Sequence, residues 1–324
     1  MTIKKWKEIK EDFTDALLMG NGASIEFDKK FTYKSLWEAA KDTDQITDKI
    51  DNLAKALHTG TNFELLMNKL FEVINVNNKF DIKSDEIINT YKSIRKALIN
   101  TVRENHCEYD DVKDRFNEQI PFLKNFNTIF SLNYDLLLYW IRIASNNKTK
   151  KDQFYDCFSY IGFYDEWLRN YWEINSDNQY TCVFYPHGAL HLARDKQGTD
   201  KKIFAEGVDL LKTIIHQWSN NESLHLFVSE GNSKNKMASI KRSDYLLKVY
   251  NEILPKSGPT LVIYGWSMDE KVDGHILNQI IGGNYKKIAV HVHRPTTEDI
   301  DQFINDTNEK LKNNFNEITY FELD

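Results

Sequence analysis

Cysteine is scarce in this 324-residue chain, which has only Cys107, Cys157 and Cys182. Their wide spacing forms neither a C-x-x-C metal pair nor a disulfide framework, so three incidental or buried thiols in a reducing compartment are expected. No apolar run is long enough to cross a bilayer. The first thirteen residues are basic without a following apolar segment, so no secretory leader and no membrane association are expected, and the protein is expected to be cytoplasmic. There is no block of basic residues either: 42 Lys and Arg are dispersed among 48 Asp and Glu, for a net charge of −6. That balance gives no general attraction to phosphate backbones and argues against direct nucleic-acid binding. Internal repeats and low-complexity tracts are missing, apart from local Asn and Lys enrichment.

What is present is a chain 41% hydrophobic, long enough for one large domain with insertions or for two modest ones. Its most informative stretch is residues 17–24. Leu17, Leu18 and Met19 read as the end of a buried strand, and Gly20-Asn21-Gly22-Ala23-Ser24 then turns the chain tightly with no Cβ at two positions. A strand-to-helix turn of this kind points backbone N–H groups outward and suits a dinucleotide pyrophosphate. Four further polar clusters each follow a short β-branched or aromatic run. They are Ser131-Leu132-Asn133-Tyr134-Asp135, Pro186-His187-Gly188, Gly265-Trp266-Ser267 and His291-Val292-His293-Arg294. In an open parallel sheet the carboxyl ends of the strands form the ligand edge, so these clusters are expected to converge on one crevice.

The ordered set resembles the sirtuin (silent information regulator) NAD-binding domain, in which a G-A-G-x-S turn, an N-x-D segment, an H-G dipeptide and a G-x-S turn occur in this order. Gly20, Gly22 and Ser24, then Asn133 and Asp135, then His187-Gly188, then Gly265 and Ser267 carry the match. The details are closer to bacterial sirtuin-like NAD-hydrolysing effectors of antiphage defence than to deacetylases. Deacetylase sirtuins hold zinc with two C-x-x-C pairs between the H-G and G-x-S segments. Here every cysteine precedes His187, so no zinc module is expected and deacetylation is disfavoured.

The resemblance implies that NAD is the substrate, with Asn133 orienting its nicotinamide ribose or the attacking water. Asp135 would support that loop near the nicotinamide amide, and His187 would act as general base. Gly20, Asn21, Gly22, Ala23, Ser24, Gly265 and Ser267 would hold the cofactor. His291, His293 and Arg294 are read either as facing the adenosine half or as a solvated basic loop. It further implies NAD depletion as an abortive-infection response, under control of a protein partner that senses a nucleotide or nucleic acid, or of homo-oligomer assembly. A non-catalytic sensor of NAD or an ADP-ribose derivative, regulating a partner, stands as the alternative.

The expected fold is α/β: a Rossmann-like parallel sheet with helices on both faces and a mainly helical inserted subdomain over about residues 33–120. Apolar residues at helical spacing, among them Phe63, Leu66, Met67 and Leu70, then Tyr91, Ile94 and Leu98, define that insertion. An aromatic-rich segment over about 136–172 is also read as helical, and as a partner surface if its Tyr and Trp are exposed. Residues 224–229 and 318–323 are expected strands, and 243–253 and 297–315 expected helices that cover the sheet. His187 and His191 are four apart and would share a face on a helix, but no further ligands are spaced to join them, so no metal is expected. Ser229 to Lys234, followed by Lys236, reads as a loop able to close over a site, with Lys236 either a phosphate contact or surface-exposed.

Overall fold

In a computed structural model the chain is described over residues 2–32, 36–148, 153–159, 162–164, 180–195, 197–205, 209–220, 224–228, 232–292, 297–311 and 314–323. The strands are β1 (Lys4–Lys5), β2 (Ala16–Met19), β3 (Thr128–Ser131), β4 (Gln153–Tyr155), β5 (Tyr180–Phe184), β6 (Gly188–Arg194), β7 (Asp200–Lys202), β8 (Leu224–Phe227), β9 (Thr260–Tyr264), β10 (Lys287–His291) and β11 (Glu317–Glu322). Eight of them form one sheet in the order β1-β11-β10-β9-β2-β3-β5-β4, and every pairing in it is parallel. The central strands are short and continuously apolar because helices cover the sheet: Ala16, Leu17, Leu18 and Met19 are all buried, as are Leu261 to Tyr264.

Strand order locates the crevice. From β2 the chain steps outward through β3 to β5, then crosses back to place β9 on the other side of β2 and continues outward through β10 and β11. With the edge strands β1 and β4 left out, the six strands β2, β3, β5, β9, β10 and β11 have the 3-2-1-4-5-6 order of dinucleotide-binding folds, whose ligand edge lies where the direction of winding reverses. The register is flush at that edge, with Met19 opposite both Ser131 and Tyr264. Gly20, Leu132 and Gly265 therefore leave the sheet side by side.

The inserted segment between β2 and β3 is helical as expected, with helices Leu36–Asp42, Asp48–Ala56, Phe63–Lys79, Asp85–Asn105, Tyr109–Val112 and Phe116–Leu123. Two of them begin at side-chain caps: Thr47 accepts from Ile50 N, and the Asn62 carbonyl oxygen accepts from Leu65 N at 2.9 Å.

Three expectations need correction. Among its described residues the aromatic-rich segment is helical over Leu137–Lys148, and Gln153–Tyr155 form a parallel edge strand; 149–152, 160–161 and 165–179 lie outside the described residues. Asn146 fixes that strand by bonding both ways to Phe154, its amide to the carbonyl at 2.8 Å and its oxygen to the N–H at 2.9 Å. The 224–229 strand ends at Phe227 and belongs to a separate three-stranded antiparallel sheet, β7-β6-β8. The 243–253 helix is α-helical only over Asp244–Lys248, and Val249–Ile253 continues as a π turn. The helix read over 297–315 spans Thr297–Leu311.

Candidate functional site

The glycine turn is built by contact with its neighbour across the sheet. Gly20 N donates to Tyr264 O at 2.9 Å, Gly22 N to Gly265 O at 2.8 Å and Ala23 N to Gly20 O at 3.0 Å. A Cβ on Gly22 would lie 2.8 Å from Gly265 Cα, and one on Gly265 would lie 2.3 Å from Ala23 N. These glycines let two backbones touch. The expectation that the N–H groups point outward together fails at Gly20, Gly22 and Ala23, because each is already engaged. Asn21 is exposed, and its amide donates to Phe31 O at 3.1 Å.

Asn133, Ser24 and Asp135 form a buried knot beneath this turn. The Asn133 amide donates to Gly20 O at 3.0 Å and to Ser24 Oγ at 2.8 Å. Both of its hydrogens are thus used, which leaves only its carbonyl oxygen to meet a ligand. Ser24 Oγ donates onward to Asp135 Oδ2 at 2.5 Å, and Asp135 Oδ1 accepts Leu137 N at 2.9 Å, capping the helix Leu137–Lys148. Burial raises the Asp135 carboxyl above the usual range, opposed by the Ser24 hydrogen bond and by His106 nearby. Ser24 therefore sets the orientation of the other two and does not point at a phosphate. The antiparallel sheet pins the same loop, with Leu190 N donating to Tyr134 O at 2.8 Å.

His187 lies three residues past the end of β5, after Tyr185 and Pro186. Gly188 has φ +72°, and a Cβ there would lie 2.1 Å from Leu226 O, so glycine is required where β6 begins its pairing with β8. That pairing, with Val228 N donating to His187 O at 2.6 Å, sets the imidazole among helix side chains. His187 Nε2 lies 2.9 Å from His275 Nε2 and 3.9 Å from Asp273 Oδ1. Asp273 binds Lys236 Nζ at 2.7 Å and the Trp266 indole N–H at 3.1 Å, while Ser233 Oγ meets His275 Nδ1 at 3.1 Å.

The knot and this cluster are linked through Trp266: a Cβ on Gly20 would meet Trp266 Cα at 2.6 Å, and the Trp266 indole N–H reaches Asp273. Burial, helped by the Lys236 charge, pushes His187 well below the usual histidine range, against the pull of Asp273. Burial also lowers His275 to about 4. For Asp273 burial works against ionisation, but the Lys236 ammonium and the Trp266 N–H overcome it and hold the carboxyl below the usual carboxylate range. Both imidazoles are neutral at physiological pH.

Sequence reasoning missed Asp273, His275 and the role of Trp266. Residues two apart point to different sides of a regular helix, so Asp-Gly-His over 273–275 gave no facial pattern. The helix Glu270–Ile281 breaks at Asp273, with φ −127° and ψ 20°, and the break brings both side chains to His187. Gly274 inside a helical stretch was the available signal. His191 lies on β6, not on a helix, and its buried ring packs 4.4 Å from Tyr139 and 4.8 Å from Tyr185. Lys236 is buried and ion-paired, not surface-exposed, on a helix Ser233–Ile240 capped by Asn232; residues 229–231 lie outside the described residues.

Ser267 is exposed and lines a groove of about 260 Å³ with Asp299, Gln302, Phe303, Asp306, Thr307 and Lys310. His291 ends β10 and packs its buried ring on Tyr264 at 4.5 Å instead of facing the groove; His293 and Arg294 lie outside the described residues.

His187, Asp273 and His275 offer a two-histidine, one-carboxylate set of the kind that binds transition metals. The position of a cation against that carboxylate is already held by the Lys236 ammonium.

Residues 17–323 match the family model described as Domain of unknown function (DUF4917). The chain belongs to that family. The matched span runs from β2 to β11 and so encloses both the knot and the His187 cluster. No curated protein matches the chain.

Proposed function

We propose that this protein is an NAD glycohydrolase that cleaves NAD to nicotinamide and ADP-ribose at the carboxyl edge of β2, β3, β5 and β9. The observation that carries the proposal is the Asn133 side chain. At the point where the sheet's winding reverses, it is tied through both amide hydrogens to the glycine turn and to Ser24. A linker or structural loop has no need of an asparagine fixed so that only its carbonyl oxygen remains for a ligand.

In the proposed reaction the bond between ribose C1′ and the pyridinium nitrogen breaks, and its electron pair neutralises the departing nicotinamide. No acid is required for that departure. A water oxygen forms the new bond to C1′ and loses a proton to neutral His187. Asn133 accepts a hydrogen bond from that water or from a ribose hydroxyl, without titrating. Asp273, ionised beside His187, favours the imidazolium that results.

The sirtuin-like motif order supports NAD as the substrate and, more remotely, a role in antiphage defence by NAD depletion in the cytoplasm. Activation by a protein partner or by assembly belongs to the same proposal. The second reading, a non-catalytic sensor of NAD or ADP-ribose, draws on the inward-turned N–H groups of Gly20, Gly22 and Ala23.

Nicotinamide release by purified protein, alone and with its co-expressed neighbours, separates the two readings. A hydrolase loses about 10²–10⁴ in rate on His187→Ala, the range of a general base, and most of its turnover on Asn133→Ala. Binding of ADP-ribose with no release under any condition would favour the sensor.

A further inference from the structure

We propose that His275 is a latch that engages the basic nitrogen of His187 and holds the free chain in a resting state. The inference rests on the reading of His187 as the base. Of the two facing ring nitrogens, His187 Nε2 and His275 Nε2 at 2.9 Å, one donates and the other accepts. Ser233 assigns the donor: its hydroxyl accepts from the His275 backbone N–H at 3.0 Å and so has its own hydrogen available for His275 Nδ1 at 3.1 Å. With Nδ1 accepting, His275 Nε2 carries hydrogen and donates to the lone pair of His187 Nε2.

The consequence is chemical. A proton leaving water or a ribose hydroxyl has no site on His187 until His275 withdraws. His275 is placed to move as part of a unit. It lies two residues after the break at Asp273, next to Gly274. The two helices that carry the latch are tied to each other by Ser233 with His275 and by Lys236 with Asp273. A shift of the Ser233–Ile240 helix against Glu270–Ile281 therefore acts on His275 and Asp273 together. A metal centre built on the same residues is the competing occupant, and Lys236 at 2.7 Å from Asp273 Oδ1 argues against it.

The test compares His275→Leu, which keeps bulk without a donor, with His275→Gln, which retains an N–H donor. Nitrogen NMR of histidine-labelled protein reads His187 independently of activity, and cobalt titration reports a metal site. In His275→Leu, His187 Nε2 is expected to shift to the position of an unbonded imidazole nitrogen. Nicotinamide release by the isolated chain should then rise about tenfold, the population change that loss of one ordinary hydrogen bond allows. His275→Gln should behave as the parent protein in both respects.

An unchanged His187 resonance in His275→Leu overturns the latch, as does an unmasked nitrogen with slower release, which would make His275 a positioning residue for catalysis. Stoichiometric cobalt binding lost in His275→Leu overturns it in favour of a metal centre. If the nitrogen is unmasked and no variant releases nicotinamide, the hydrolase reading falls first and the latch falls with it.

Discussion

Ser24 is the residue on which the knot turns, since its hydroxyl accepts from Asn133 and donates to Asp135 inside the protein. Ser24→Ala leaves an amide hydrogen and a carboxylate oxygen without a partner, and unmatched buried polar groups cost about 1–3 kcal/mol each. Chemical denaturation should register a loss of about 2–6 kcal/mol for the two groups together, with NAD turnover falling as Asn133 loses its orientation; parent-like stability and turnover would remove Ser24 from the site. Asp156 is a second such residue. It is buried against Lys202 at 2.7 Å and Arg142 at 3.2 Å. Asp156→Asn would strand two cations, and breaking a buried pair typically costs about 3–5 kcal/mol. A loss under about 1 kcal/mol in urea unfolding would show that solvent or another anion reaches the pair.

Elements explain both what the sequence revealed and what it withheld. The apolar runs before Gly20, Ser131, Pro186 and Gly265 were legible as strands because each lies in the sheet's buried centre, where continuous burial leaves a continuous apolar signature. The helical insertion was legible from its spacing. β4 was not, because its three residues, Gln153, Phe154 and Tyr155, are too few to show a period and follow a helix rich in the same residue types. The cluster around His187 was half legible: the His-Gly turn announces itself, whereas Asp273 and His275 depend on a helix break that no periodicity encodes. The Asn146 clamp gives an element-scale prediction. Asn146→Ala should accelerate hydrogen exchange at Phe154 by about tenfold, in line with losing one ordinary hydrogen bond, while β2 and β9 keep their protection. Protection lost across the whole sheet would mean that β4 is cooperative with the core.

At the scale of the whole molecule, buried neutral histidines make stability depend on pH. Burial lowers His225 to about 3 and His275 to about 4, and pushes His187 and His191 down as well. Groups whose folded values lie below their unfolded values contribute fully above the unfolded value, near pH 6.5, and lose that contribution as pH falls toward the folded one. Thermal stability should therefore be flat above about pH 7 and fall steeply below about pH 6, with His225 alone accounting for about 2–3 kcal/mol by about pH 4.5. Among the described residues the His225 ring has no partner for Nε2, and it packs against Trp218 and Phe227. His225→Leu should therefore flatten the acid limb; an unaltered limb would assign the dependence to the other histidines.

The central claim is that NAD occupies the edge where β2 and β9 adjoin, with its nicotinamide ribose between Asn133 and His187. A crystal structure of His187→Ala soaked with NAD tests it most directly, because the variant should bind the substrate without turning it over. The account predicts the nicotinamide ribose within hydrogen-bond reach of the Asn133 carbonyl oxygen and the pyrophosphate beside the Gly20–Ser24 turn. Ligand density at any other place on a well-ordered molecule, or no density at saturating NAD, would contradict it.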